Sequence, residues 1–209
     1  MLKVASPFAW GISAFVALLA VTAWGQDLRW QFSGLSTYRI FPLFGLMAFS
    51  LMWAMYVIGF LRRRFRVAAE KISSYYKIMP QLIFGFIMLH PGLLIWQLWR
   101  DGFGLPPQSY LQHYVAPSLR WAALIGTTAF LVFVAYEFRY RFRGKSWWKY
   151  MEYLADLVLV GLFFHALALG TQLQSGWFRY VWFFYGAVLA IVLTDLYWTK
   201  LKKHLHKTS

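Results

Sequence analysis

Cysteine is absent from this chain of 209 residues, which excludes disulfides, thiolate metal sites and cysteine nucleophiles. Charge is scarce as well. Asp, Glu, Lys and Arg make up 13% of the residues, against about 25% in an ordinary soluble domain. No Ser/Gly/Pro-rich linker, low-complexity tract or fixed-period repeat divides the chain, so residues 1–209 read as one domain. No Gly-x-Gly-x-x-Gly fingerprint occurs, and no flavin or NAD site is expected.

What the chain does have is apolar residues in long runs. Sixty per cent of it is hydrophobic and 22% aromatic. A run of about 18 or more such residues suggests a helix through the hydrocarbon core. Backbone N–H and C=O groups in lipid must be satisfied within the protein, which favours helices over open strands. The expectation is all-α: a polytopic membrane protein with a bundle of six transmembrane helices. Bounding charges put the spans near Phe8–Trp24, between Arg39 and Arg62, and between Lys77 and Arg100. Three more lie between Arg120 and Glu137, from Glu152 to Thr171, and from Tyr180 to Trp198. The first uncharged run, Val4 to Gln26, exceeds the usual signal-peptide core and reads as a retained helix.

The formal charge of +14 would suggest nucleic acid in a soluble protein. Here the basic residues sit between apolar runs, where anionic lipid headgroups are the expected partners and nucleic acid is not. Sixteen of the basic residues fall on one side: Lys3, the loop from Arg62 to Lys77, the loop from Arg139 to Lys149, and the tail from Lys200 to Lys207. Arg29, Arg39, Arg100, Arg120 and Arg179 fall on the other. Positive charge favours the cytoplasmic face, so both termini are expected inside, in the cell inner (plasma) membrane. An even number of spans agrees. The outer connection from Arg100 to Ser118 is expected to lie along the membrane surface. Trp24, Trp30, Trp96, Trp99, Trp147, Trp148, Trp177 and Trp198 stand near span ends, as interfacial anchors do.

The five histidines differ in meaning. His204 and His206 belong to the basic tail and read as solvated, and His113 as a surface residue. His90 and His165 lie inside apolar spans, where an ionisable side chain needs a specific partner. Each follows a charged residue (Lys77 and Glu152) by 13 positions, about 20 Å of helix. Both spans run outward, so the two imidazoles should share one level in the outer half of the bilayer. Two helices offering imidazoles at one height can clamp a haem iron. Gly85 and Gly161, about a turn before each histidine, would leave room for a flat macrocycle. The plainer reading is that each histidine bonds a neighbouring helix or lines a polar cavity. A tetrahedral zinc site lacks its third and fourth ligands at that depth.

Six spans with histidines on the third and fifth resemble the ferric reductase-like transmembrane domain. That superfamily includes NADPH oxidases, STEAP metalloreductases and the haem-binding membrane subunit of the bacterial periplasmic methionine-sulfoxide reductase system. Tyr76-Lys77-Ile78-Met79 through Phe86-Ile87-Met88-Leu89-His90 looks like that subunit's third span. Lys145-Ser146-Trp147-Trp148-Lys149-Tyr150 through Phe163-Phe164-His165 looks like its basic loop and fifth span. The likeness covers about residues 35–200. It implies a haem b protein with His90 and His165 as axial ligands, acting as the electron-transfer subunit of an oxidoreductase. Two-haem members carry a second histidine about 14 residues earlier on each span. Tyr76 and Met151 stand there instead, so one haem is expected, with Met151 as ordinary packing or as a ligand.

Electrons would come from a quinol or a cytosolic flavoprotein and pass to an acceptor protein, metal ion, oxygen or quinone at the outer face. Arg100, Arg120 and Arg179 either pair with haem propionates or mark span ends. Asp156, half a turn round the helix from His165, is expected to pair with a basic loop residue. A rival function is a haem-free transporter or channel in which His90, His165 and Asp156 line a proton or solute path. A cofactor-free scaffold acting through its basic loops is another.

Overall fold

The computed structural model describes residues 6–142 and 144–208, with the side chains of 69, 140, 141, 203, 204 and 206–208 left aside. The charges of Lys3, Arg141, Arg143, Lys203 and Lys207 and the solvated reading of His204 and His206 lie outside the described side chains. In order the helices are α1 (Ser6–Asp27), α2 (Thr37–Arg64), α3 (Ser73–Arg100), α4 (Gln108–His113), α5 (Arg120–Glu137), α6 (Arg139–Phe142), α7 (Trp148–Leu169) and α8 (Trp177–Thr208). Among the described residues there is no strand. Six helices, α1, α2, α3, α5, α7 and α8, are long and apolar enough to cross a membrane. The chain is a multi-pass membrane protein, and each expected span coincides with one of these helices, except that the fifth ends at Leu169, two residues short of Thr171, which begins a separate 3-10 turn.

One end of the bundle carries Arg62, Arg63, Arg64 and Lys77 and is called the basic end below. Lipid tails are as apolar as leucine, so spans associate through close packing and interhelical hydrogen bonds. α1 buries Ala9, Ser13, Val16, Ala20 and Ala23, a stripe at helical spacing, while Phe15 and Leu18 on its other side are exposed. The small residues let α1 lie close to α2 and α3, and Ser13 Oγ meets Tyr75 Oη at 2.8 Å.

α2 is the most buried span and touches α1, α3, α7 and α8. Its Phe49 and Trp53 stack on Trp182 and Tyr185 of α8, each pair 4.4 Å between ring centres. The Trp53 indole N–H donates to the Tyr185 carbonyl at 2.9 Å, so an aromatic body is buried without orphaning its polar edge. α5 and α7 form a second close pair. Ala122 and Ala129 of α5 are fully buried, and a Cβ added to Gly161 of α7 would stand 3.0 Å from Ile125 of α5. Gly161 therefore serves helix contact with α5.

Asp156 departs from expectation. Its carboxylate accepts hydrogen bonds from Tyr56 of α2 at 2.5 Å and Tyr197 of α8 at 2.8 Å. A loop cation would have to reach into the span, whereas two phenols from adjacent helices already stand at that depth. The connection between α3 and α5 is anchored to the bundle by Tyr110. Tyr110 of α4 is buried with Leu98, Val115 and Ala123, and its hydroxyl meets Thr127 of α5 at 2.7 Å. His113 stays exposed, stacked on Phe103. Of the boundary tryptophans, Trp24 and Trp148 are buried, whereas Trp30, Trp96, Trp99, Trp147, Trp177 and Trp198 are exposed. Trp24 is drawn in because its indole donates to the Arg39 carbonyl at 2.7 Å.

Removing an acceptor shared by two phenols leaves both unsatisfied, at about 1–3 kcal/mol for a buried group. Asp156→Ala should therefore lower the melting temperature in detergent clearly more than Asp195→Ala. The latter breaks the half-exposed Arg63–Asp195 pair at 3.3 Å, a kind worth about 0–1 kcal/mol. Equal losses would show that the Tyr–Asp–Tyr clamp contributes nothing special.

Candidate functional site

His90 of α3 and His165 of α7 approach each other in the half of the bundle away from the basic end. Their ring centres are 6.4 Å apart, with planes at 84°. Both rings are half-buried. Each is held the same way by the span before its own. His90 Nδ1 donates to the Phe41 carbonyl of α2 at 2.9 Å, and His165 Nδ1 to the Ala122 carbonyl of α5 at 2.7 Å. A carbonyl can only accept, so Nδ1 carries hydrogen in both rings. In the neutral imidazole this leaves the lone pair on Nε2.

The sequence makes this arrangement possible through two glycines. Gly45 lies four residues after Phe41, and Gly126 four residues after Ala122. Each is one turn beyond the accepting carbonyl on the same helix face. A Cβ on Gly45 would stand 2.7 Å from His90 Cε1 and Nδ1. On Gly126 it would stand 2.5 Å from His165 Cε1 and 2.8 Å from its Nδ1. Neither gap admits a methyl group. The missing side chain is the slot through which each imidazole reaches the backbone of its neighbour. The carbonyl's second lone pair accepts the ring N–H while the first serves the helix.

A His nitrogen binds a first-row metal at about 2.0–2.1 Å, and ring nitrogen to ring centre adds about 1.1 Å. Two imidazoles on opposite sides of one metal thus have centres about 6.3 Å apart, against about 5 Å at a tetrahedral ion. The observed separation matches the former. Among the described residues no group of three or more His, Cys, Asp or Glu side chains is placed to hold a metal. Any ion here would have two protein donors.

The other sequence candidates stand apart from this pair. Arg100 lies over the Trp96 ring at 4.8 Å and 3.9 Å from Asp101. Arg120 Nε donates to the Leu111 carbonyl at 2.9 Å. Arg179 donates to the Gln174 carbonyl at 2.9 Å and covers Phe183. None of the three hydrogen-bonds to either imidazole, though all lie at the same end of the bundle as the histidines. Asp101, just beyond α3, is held below the ordinary carboxylate range by hydrogen bonds from Gln97 and Tyr38 and by Arg100. Asp156 is nine residues before His165, about 13.5 Å along the helix, and its oxygens are taken by the two phenols. Met151 packs against Ala129, Val132 and Val158. A Cβ on Gly85 would meet nothing within 4 Å, so that face of α3 is open.

Fold and site together define a polytopic helical membrane protein with a pair of backbone-tethered intramembrane histidines. Comparison with protein-family models, curated proteins and solved structures finds no match.

Filling either slot forces an imidazole to move, and overpacking of this kind costs about 1–3 kcal/mol. Gly126→Ala and Gly45→Ala should each lower the detergent melting temperature, whereas Gly11→Ala, which has open space around it, should not. In the double variant Gly126→Ala/His165→Ala the clash has no object, and the two losses should fall short of additive. Full additivity would separate the glycine from the histidine.

Proposed function

We propose that this chain is a membrane haem b protein, with His90 and His165 as axial ligands, that carries electrons across the bilayer. The observation that supports it most is the 6.4 Å separation of two imidazoles whose Nδ1 atoms are both committed to backbone carbonyls. Two protein donors on opposite sides of a metal leave four equatorial positions, which a porphyrin supplies itself.

In this reading the protein's work is positional. Phe41 and Ala122 fix ring tautomer and orientation, and a donated Nδ1–H makes the opposite nitrogen a stronger ligand. Held by His90 and His165, a haem would be suited to outer-sphere electron transfer rather than oxygen binding. Bound haem would supply a reversible one-electron change at iron. The basic end is cytoplasmic by the distribution of Lys and Arg, which puts both termini inside, in the cell inner (plasma) membrane. The histidine pair then lies toward the outer face, where Arg100, Arg120 and Arg179 are available to propionates. A quinol or a cytosolic flavoprotein is the donor, and an acceptor at the outer face completes an oxidoreductase of the ferric reductase-like kind.

The test is a visible spectrum of detergent-purified protein, oxidised and dithionite-reduced. A single low-spin haem b should be present, and His90→Leu and His165→Leu should each abolish the low-spin signature. An unchanged Soret band in both variants would overturn the ligation. A colourless wild-type protein would favour the haem-free path lined by His90, His165 and Asp156.

A further inference from the structure

At the basic end α2, α3 and α8 enclose an open hollow of about 700 Å³ lined by Met55, Tyr56, Gly59, Arg62, Arg63, Ser73, Tyr76, Lys77 and Leu196. Small-molecule sites fall within about 300–1,000 Å³. Its lining is mainly apolar and aromatic and carries three cations, Arg62, Arg63 and Lys77. We propose that this hollow binds a phosphate group, presented by an anionic lipid headgroup or by a soluble phosphate ester.

The charges facing it are poorly compensated. Arg63 pairs with Asp195 of α8 through Nη2 at 3.3 Å, yet its Nε is buried with no acceptor. A guanidinium N–H without a partner is costly, and a further oxygen would satisfy it. Arg62 and Lys77 make no ion pair with any described acid. Arg62 instead lies 5.9 Å from the centre of the Tyr76 ring. Tyr76 Oη and Arg63 Nη1 converge over Gly59, within 3.5 Å and 3.7 Å of the point a Cβ would occupy. The nearby Asp156 turns both oxygens to Tyr56 and Tyr197 and is not a counter-ion for these cations. An occupant must therefore bring several acceptor oxygens and negative charge into a gap between phenol and guanidinium. Phosphate does both. Basic pockets between spans on a cytoplasmic leaflet bind lipid phosphates by the same means.

This inference is independent of haem, and so is its test. Wild-type protein in phosphatidylcholine nanodiscs is titrated with phosphatidylglycerol, or with glycerol 3-phosphate, and binding is read from melting temperature and native mass spectrometry. Arg62→Gln/Lys77→Gln touches no ion pair and should weaken binding about thirtyfold, at about 1 kcal/mol per cation near a membrane surface. Lys145→Gln/Lys149→Gln, on the other basic loop, should leave it unchanged. Saturable binding of the lipid alone identifies a headgroup site, and competition by glycerol 3-phosphate identifies a site for free phosphate esters. Equal weakening in both double variants would reduce the effect to diffuse surface attraction and overturn the proposal. Binding of neither probe would do the same.

Discussion

A polar atom inside a hydrocarbon slab has no water to turn to, and the protein must supply its partner. In this bundle the partner is often a backbone carbonyl on the adjoining span. Trp53 reaches Tyr185, His90 reaches Phe41 and His165 reaches Ala122. A helix carbonyl has a spare lone pair but is normally shielded by the side chain one turn on. Gly45 and Gly126 remove that shield. The same requirement closes the Tyr56–Asp156–Tyr197 clamp, where side chains on three spans satisfy one another. Interhelical hydrogen bonds therefore do two things at once: they remove a penalty and they fix the rotation of each helix against its neighbour.

The two histidine arrangements repeat one device. In each, the span carrying the imidazole packs on the span just before it in sequence, α3 on α2 and α7 on α5. In each, the acceptor and the glycine stand one turn apart. Antiparallel neighbours meet at matching depth, so the acceptors, Phe41 and Ala122, both in the first turns of their helices, set a common level for both rings. The close pairing needs narrow helix faces, which Ala122, Gly126 and Ala129 provide on α5.

The spans were legible in the sequence because they depend on a local quantity, an apolar run between charges. Arg39, Arg62, Arg100, Arg120 and Glu137 stand near helix ends for that reason. The common level of His90 and His165 was legible too, since it needs only a count along each helix. What was not legible is which residue on another span each side chain meets. Asp156 illustrates this, because its phenol partners lie on α2 and α8, far away in sequence. The part played by Gly45 and Gly126 is hidden in the sequence for the same reason. Gly85 and Gly161 lie nearer the histidines in sequence, yet a glycine matters where a neighbouring helix presses. One signal was present: a glycine in the first half of the span preceding each histidine span. Trp24 and Trp148 show the limit of reading aromatic residues by position, since depth does not reveal whether a ring faces lipid or protein.

The two ends of the bundle place opposite demands on charge. Around the histidines, the polar partners of the rings are backbone carbonyls, and two carboxylates at that end are occupied, Asp101 by Gln97 and Tyr38 and Asp27 by Thr171 and Gln172. With Nδ1 of each ring engaged by a carbonyl, Nε2 is the nitrogen left for a further partner. At the basic end the one ion pair made by Arg62, Arg63 and Lys77 among the described residues is Arg63–Asp195. Packing cannot relieve the repulsion among these cations, and an anion drawn from the interface can. A chain this short of acids leaves part of its charge balance to what surrounds it, so the membrane is as much a component of the fold as any of the six spans.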